Sequence, residues 1–98
     1  MKHLVSTIIP TYNRRDLLCR AVDSALAQSY TSQEVIVVDD GSTDGTAELM
    51  ARRYGDRIRC VVQENSGVSR ARNAGVRLAK GSHIALLDSD DAWHPSKL

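Results

Sequence analysis

Four short runs rich in Val, Ile and Leu alternate along the chain with longer segments of helical apolar spacing, and this rhythm leaves few folds open. The runs are Leu4 to Ile9, Val35 to Val38, Ile58 to Val62 and His83 to Leu87. β-branched and leucine side chains without polar alternation are the pattern of strands covered on both faces, as in a parallel sheet. Between the first two runs Leu18, Val22, Ala25 and Leu26 recur at three- and four-residue spacing, which predicts a helix from Arg15 to about Gln28, with Asn13 or Arg14 near its start. A second helix is expected after the N-cap candidates Gly41-Ser42-Thr43-Asp44, ending at Gly55, and a third from about Ser69 to Lys80, stopped by Gly81. Trp93-His94-Pro95 reads as the opening of a fourth, because proline suits a first helical position.

The expected fold class is therefore α/β: an open, twisted, mostly parallel sheet with helices on both faces, joined by right-handed crossovers. The 98 residues suffice for one core, so a single domain is expected. In such sheets ligands bind outside the carboxyl ends of the strands, where strand order reverses. Those ends hold Pro10-Thr11-Tyr12-Asn13, Asp39-Asp40-Gly41-Ser42 and Asp88-Ser89-Asp90-Asp91. Five carboxylates are thus expected along one edge, where their mutual repulsion calls for a compensating cation. Oxygen ligands point to Mg²⁺ or Mn²⁺ shared with substrate phosphates. Each acidic pair also has a plainer reading: Asp39-Asp40 as an Asx turn, Asp88 to Asp91 as a turn leading into the last helix.

Composition removes other classes. Lys and Arg number 13 against 12 Asp and Glu, for a net charge of +1, and the basic residues are scattered, so nucleic acid is not an expected partner. No apolar run approaches the roughly 20 residues of a membrane-spanning helix, and the stretch after Met1-Lys2-His3 is too short for a secretory signal. Cys19 and Cys60 lack metal-type spacing and read as reduced, partly buried thiols, which makes a cytoplasmic location the default. Neither a Walker-type phosphate loop nor a dinucleotide-binding glycine motif occurs, so any phosphate needs another holder.

Val5 to Asn13, Val37 to Asp44, Asn65-Ser66-Gly67 with Ala71 to Gly75, and Leu87 to Asp91 together resemble, in order and spacing, the family 2 glycosyltransferases of GT-A fold. The resemblance covers nearly the whole chain and identifies residues 1–98 as the part that binds a nucleoside diphosphate sugar. It implies that Pro10, Thr11 and Tyr12 border the base, that Asp40 accepts a base N–H (uracil preferred), and that Arg72 reaches base, ribose or phosphate. It further implies that Asp88 and Ser89 approach ribose and metal, and that Asp90 is the principal metal ligand, with Asp91 behind it. A loop aromatic for Tyr12, an outward helix arginine for Arg72 and a structural or exposed His94 are the plainer alternatives.

The family transfers the sugar with inversion to a deprotonated acceptor hydroxyl. The base and the acceptor pocket lie in the later half of the family fold, and no Asp or Glu follows Asp91, so the base is expected beyond residue 98. The chain alone is expected to bind donor weakly, to be inactive in transfer and to self-associate through apolar surface that the later half covers. The acceptor, whether glycan, lipid or another hydroxyl compound, is open, and the full-length protein could sit at the inner face of the membrane. A receiver-like phosphoacceptor domain shares the parallel sheet and acidic pair, but there the pair should end the first strand, not the second. A scaffold that keeps the fold without the chemistry is the third reading.

Overall fold

The computed structural model describes residues 3–98; Met1 and Lys2 lie outside it. Strands β1 (Val5–Thr11), β2 (Gln33–Asp39), β3 (Arg59–Val62) and β4 (His83–Leu86) form one sheet in the order β3-β2-β1-β4. All three pairings are parallel, with Ile8 opposite both Ile36 and Leu86. Between the strands run α1 (Arg15–Leu26), α2 (Thr46–Tyr54), followed by a short 3-10 turn at Gly55–Arg57, and α3 (Val68–Leu78).

Period-two alternation in the two central strands feeds two separate cores. Ile9, Val35 and Val37 point to the face covered by α1 and α2, where they meet Leu18, Val22, Met50 and Tyr54. Ile8, Ile36 and Val38 point to the other face, where Ala71 of α3 closes over them. An unbroken apolar run suits such two-sided burial, and β2 carries one from Val35 to Val38; in β1 the equally buried Ser6 and Thr7 interrupt it and bond to Glu34 and Gln33 of β2. The edge strands depart from the expectation of cover on both faces: Val62 of β3 and Ile84 and Leu86 of β4 are exposed, since α3 packs chiefly on the central strands β1 and β2.

Two further expectations change. The four-residue cluster Gly41 to Asp44 does not cap α2; the N-cap is Gly45, whose φ of +81° is a left-handed conformation that favours glycine. Asp44 instead reaches back and accepts the backbone N–H of Arg15, the first residue of α1. Nor does Trp93-His94-Pro95 open a helix. Pro95 and Ser96 form a turn, and the segment is tied to the end of α1 by bonds that replace helical ones: Trp93 N–H donates to Ser24 Oγ, Gln28 Nε2–H to the His94 carbonyl and Ser29 N–H to the Pro95 carbonyl. Trp93 packs against the α1/α2 core. Cys19 and Cys60 are both free thiols, and burial, aided by the Asp39 charge, pushes Cys60 up to about 11. Among the described residues no helix is long and apolar enough to cross a membrane.

The α3 face is the tightest contact. A Cβ on Gly75 would stand 2.4 Å from Ile8 Cγ2 and 3.3 Å from Val38 Cγ2, so α3 lies as close to β1 as a bare backbone allows. Gly75→Ala sets a helix-propensity gain of about 1 kcal/mol against an overpacking cost of about 1 to 3 kcal/mol. Overpacking is expected to win, because the obstacle is a branched core side chain held on a buried strand. A lower urea midpoint for Gly75→Ala is the expected result; an equal or higher one would mean that α3 can back away without loss.

Candidate functional site

Strand order reverses between β1 and β4: from β1 the chain winds outward through β2 to β3, then returns to β4 on the other side. A cleft of about 330 Å³ lies at the carboxyl ends of these strands. It brings together every residue singled out as a binding candidate: Pro10, Thr11 and Tyr12 from the end of β1, Asp40 after β2, Arg72 on α3, and Asp88, Ser89 and Asp90 after β4. Arg14, Val68 and Ala71 complete the lining.

The five carboxylates do not all converge, which corrects the expectation of a shared acidic edge. Asp39 is buried and accepts the Ser42 N–H, forming the Asx turn that was its plainer reading. Asp91 accepts the N–H of the next residue, Ala92, and does not line the cleft. Asp88 and Asp91 close a turn, with the Asp91 N–H donating to the Asp88 carbonyl at 3.0 Å, so Ser89 and Asp90 occupy its tip. Among the described residues no group of three or more His, Cys, Asp or Glu side chains is gathered for a metal ion.

Each remaining carboxylate is compensated locally. Asp40 is 4% exposed and accepts four hydrogen bonds through its side chain. Oδ1 takes Gln63 Nε2–H at 2.8 Å and the Ser66 N–H at 2.8 Å. Oδ2 takes the Gly67 N–H at 3.0 Å and Asn65 Nδ2–H at 3.2 Å. Ser66 and Gly67 stand immediately before Val68, so the carboxylate caps the N-terminus of α3, where backbone donors point outward and the helix dipole favours an anion. Burial alone would raise the Asp40 pKa; the donors from Gln63, Ser66 and Gly67 outweigh it and hold the carboxyl below its ordinary value.

Asp88 and Asp90 are exposed and ion-paired. Arg72 Nη2 lies 3.1 Å from Asp88 Oδ1, and Arg14 Nη1 lies 3.1 Å from Asp90 Oδ2. Arg14 is placed by a lock between two loops. Asn13 sits at φ +51°, its N–H donates to Ser42 Oγ at 2.8 Å, and its side-chain oxygen accepts the Thr43 N–H at 2.7 Å. Two buried polar atoms among the described residues have no partner, Thr11 Oγ1 and Arg72 Nε, and both belong to residues of this cleft. Tyr12 is 47% exposed at the cleft's border.

Residues 6–98 match the family model of glycosyl transferase family 2. The chain belongs to glycosyl transferase family 2. An uncharacterized glycosyltransferase of Rickettsia bellii is 48% identical over 96 residues, covering 97% of this chain. Among solved structures, S. aureus TarS in complex with UDP-GlcNAc superposes with a TM-score of 0.81 at 34% identity over 97% of the chain. The Pyrobaculum calidifontis mannosyltransferase PcManGT, in complex with GDP-Man and Mn²⁺, does so with a TM-score of 0.80 at 31% identity over 95%. The chain spans 14% of the length of the Rickettsia protein, 28% of the TarS chain and 29% of the PcManGT chain. The fold is that of the GT-A glycosyltransferases, and the receiver-domain alternative gains no support.

Sequence reasoning did not find Gln63 or the capping role of Asn65-Ser66-Gly67. A signal was present in Asn-Ser-Gly directly before a helical pattern, with no acidic residue in that helix's own first turn to cap it. Arg14 was noticed only as a helix start. Asp40→Ala leaves four donors without their acceptor and is expected to cost about 3 kcal/mol at neutral pH. Because the folded pKa is depressed, this stabilisation is fully present above the unfolded value of about 3.9 and is lost as pH falls through the folded one. Thermal melts at pH 7 and pH 3 should therefore show a smaller gap between Asp40→Ala and wild type on the acid side; a gap independent of pH would refute the assignment.

Proposed function

We propose that residues 1–98 are the nucleotide-diphospho-sugar-binding part of a GT-A domain, and that the full-length protein is a metal-dependent inverting glycosyltransferase acting from a nucleoside diphosphate sugar on an acceptor hydroxyl. The observation that carries this reading is the single cleft joining the end of β1, Asp40, Arg72 and the Asp88-Ser89-Asp90 turn at the point of strand reversal. The known complexes of TarS with UDP-GlcNAc and of PcManGT with GDP-Man and Mn²⁺ favour the same class of donor.

In this reading Pro10, Thr11 and Tyr12 border the base, with Tyr12 offering an exposed aromatic face. Thr11 Oγ1, buried and unpartnered, supplies a hydroxyl able to donate or accept. Asp40 reads a base N–H only if one of its donors gives way, and the side-chain amides of Gln63 and Asn65 are freer to do so than the backbone N–H groups of Ser66 and Gly67. Uracil remains the preferred base. Arg72 reaches base, ribose or phosphate, Asp88 and Ser89 lie on the ribose and metal side, and Asp90 is the principal metal ligand.

The donor set suits Mg²⁺ or Mn²⁺: two exposed carboxylates on one turn, each already holding a cation, and too few ligands to bind such an ion without phosphate oxygens. When bound, that ion would neutralise charge growing on the departing diphosphate. The residues after Asp91 include no carboxylate to act as base, so the chain alone should hold donor and not transfer sugar. The exposed Val62, Ile84 and Leu86 on the two edge strands should also drive self-association, and a strictly monomeric species in light scattering would count against this.

Titration calorimetry with UDP, in Mn²⁺ and in chelator, tests the donor assignment. Binding that requires Mn²⁺ and is lost in Asp90→Ala is the expected outcome, with GDP weaker than UDP. UDP binding that ignores both the metal and Asp90 would remove the metal-bridged reading, and tighter GDP binding would overturn the uracil preference.

A further inference from the structure

We propose that Arg14 is a built-in counter-ion for Asp90, released onto the donor's diphosphate, so that its change of partner adds to the coupling between divalent cation and nucleotide in the cleft. The inference rests on the donor-binding reading and assigns a residue that reading left without a role.

Three observations support it. First, Arg14 Nη1 and Asp90 Oδ2 are 3.1 Å apart, although the two residues stand on loops after different strands, so the pair spans the cleft. Second, the backbone beneath Arg14 is fixed: Asn13 is bonded to Ser42 and Thr43, and Arg15 donates its N–H to Asp44 Oδ2 and its Nη1–H to the Asp44 carbonyl at 3.0 Å. The guanidinium can swing, but its root stays at the rim. Third, the second acidic side chain of the same turn, Asp88, is held likewise by Arg72. The turn therefore presents two carboxylates already matched by two guanidinium groups.

This arrangement sets a binding order in terms of charge. Asp90, paired with Arg14 through Oδ2, meets a divalent cation more favourably once the guanidinium has moved away, because a guanidinium left beside the bound ion would face a like charge across the same cleft. A diphosphate removes that penalty, because guanidinium groups bind phosphate oxygens through two parallel N–H bonds. Arg14 thus changes partner from carboxylate to phosphate while Asp90 changes from guanidinium to metal. Since such coupling is reciprocal, nucleotide must strengthen metal binding by the same factor as metal strengthens nucleotide binding. Substitution of Arg14 should act on the two ligands in opposite directions, which loss of a merely structural contact would not do.

The test measures Mn²⁺ binding to the full chain by electron paramagnetic resonance of free Mn²⁺, with and without UDP. In wild type, Mn²⁺ alone should bind weakly, and saturating UDP should strengthen it by about tenfold or more. In Arg14→Met, Mn²⁺ alone should bind tighter than in wild type, UDP alone should bind more weakly, and the strengthening by UDP should shrink to the part that direct metal–phosphate contact supplies. Arg14→Lys, which keeps the charge without the planar fork, should fall between them and guards against a folding artefact. Unchanged Mn²⁺ affinity in Arg14→Met, with normal metal-dependent UDP binding in wild type, would overturn this proposal alone. Failure of wild type to bind UDP under any condition would remove the donor reading and this proposal with it.

Discussion

The carboxylate of Asp40 is the point on which the carboxyl-terminal edge of the sheet is organised. It leaves the end of β2 and accepts the N–H groups that precede α3, together with two side-chain amides from the β3–α3 loop. A buried anion in this position is stable because the helix terminus supplies oriented donors and a favourable dipole at once. In return the loop from Gln63 to Gly67 is held against the sheet, α3 is set at the angle that presents Arg72 to the cleft, and the floor of the cleft is fixed. Asp44 does the corresponding service for α1 by accepting the Arg15 N–H. One stretch after β2 thus anchors the start of two helices that flank the site, while its own helix begins without a side-chain cap.

Packing explains why that edge can be irregular. The central strands bury side chains on both faces, and α3 approaches β1 closely enough at Gly75 to meet Ile8 without an intervening side chain. With the sheet and helices so constrained, loops at the strand ends can carry unusual backbone, such as Asn13 and Gly41 in left-handed conformations, at modest cost. A Cβ on Gly41 would stand 3.1 Å from the Asn65 backbone nitrogen, so this glycine also lets the β2–α2 and β3–α3 loops touch.

The sheet was readable from the sequence because two-sided burial leaves an unambiguous trace, a run such as Val35 to Val38 that no exposed strand would carry. The cleft was readable for a related reason: parallel topology forces the residues after each strand to one edge, so Pro10 to Tyr12, Asp40 and Asp88 to Asp90 had to meet. What the sequence did not disclose was how each charge is balanced. Asp39 and Asp40 are adjacent and chemically identical, yet one closes a local turn and the other caps a distant helix, and the choice depends on where α3 arrives in space. The last segment failed for a comparable reason. Pro95 carries a sound local helix signal, but bonds to Ser24, Gln28 and Ser29 outweigh it, and propensity has no access to such partners.

Local charge balance also divides the carboxylates of this edge into two kinds. Asp39, Asp40 and Asp44 each accept hydrogen bonds from backbone N–H groups and so hold loops and helix ends in place. Asp88 and Asp90 are instead exposed and held by the partly exposed guanidinium groups of Arg72 and Arg14, an arrangement worth little to stability because water competes for the carboxylates. Carboxylates whose partners are weakly held are the ones able to exchange them. Two buried polar atoms among the described residues, Thr11 Oγ1 and Arg72 Nε, have no partner, and groups left unsatisfied in a well-bonded scaffold carry a standing cost.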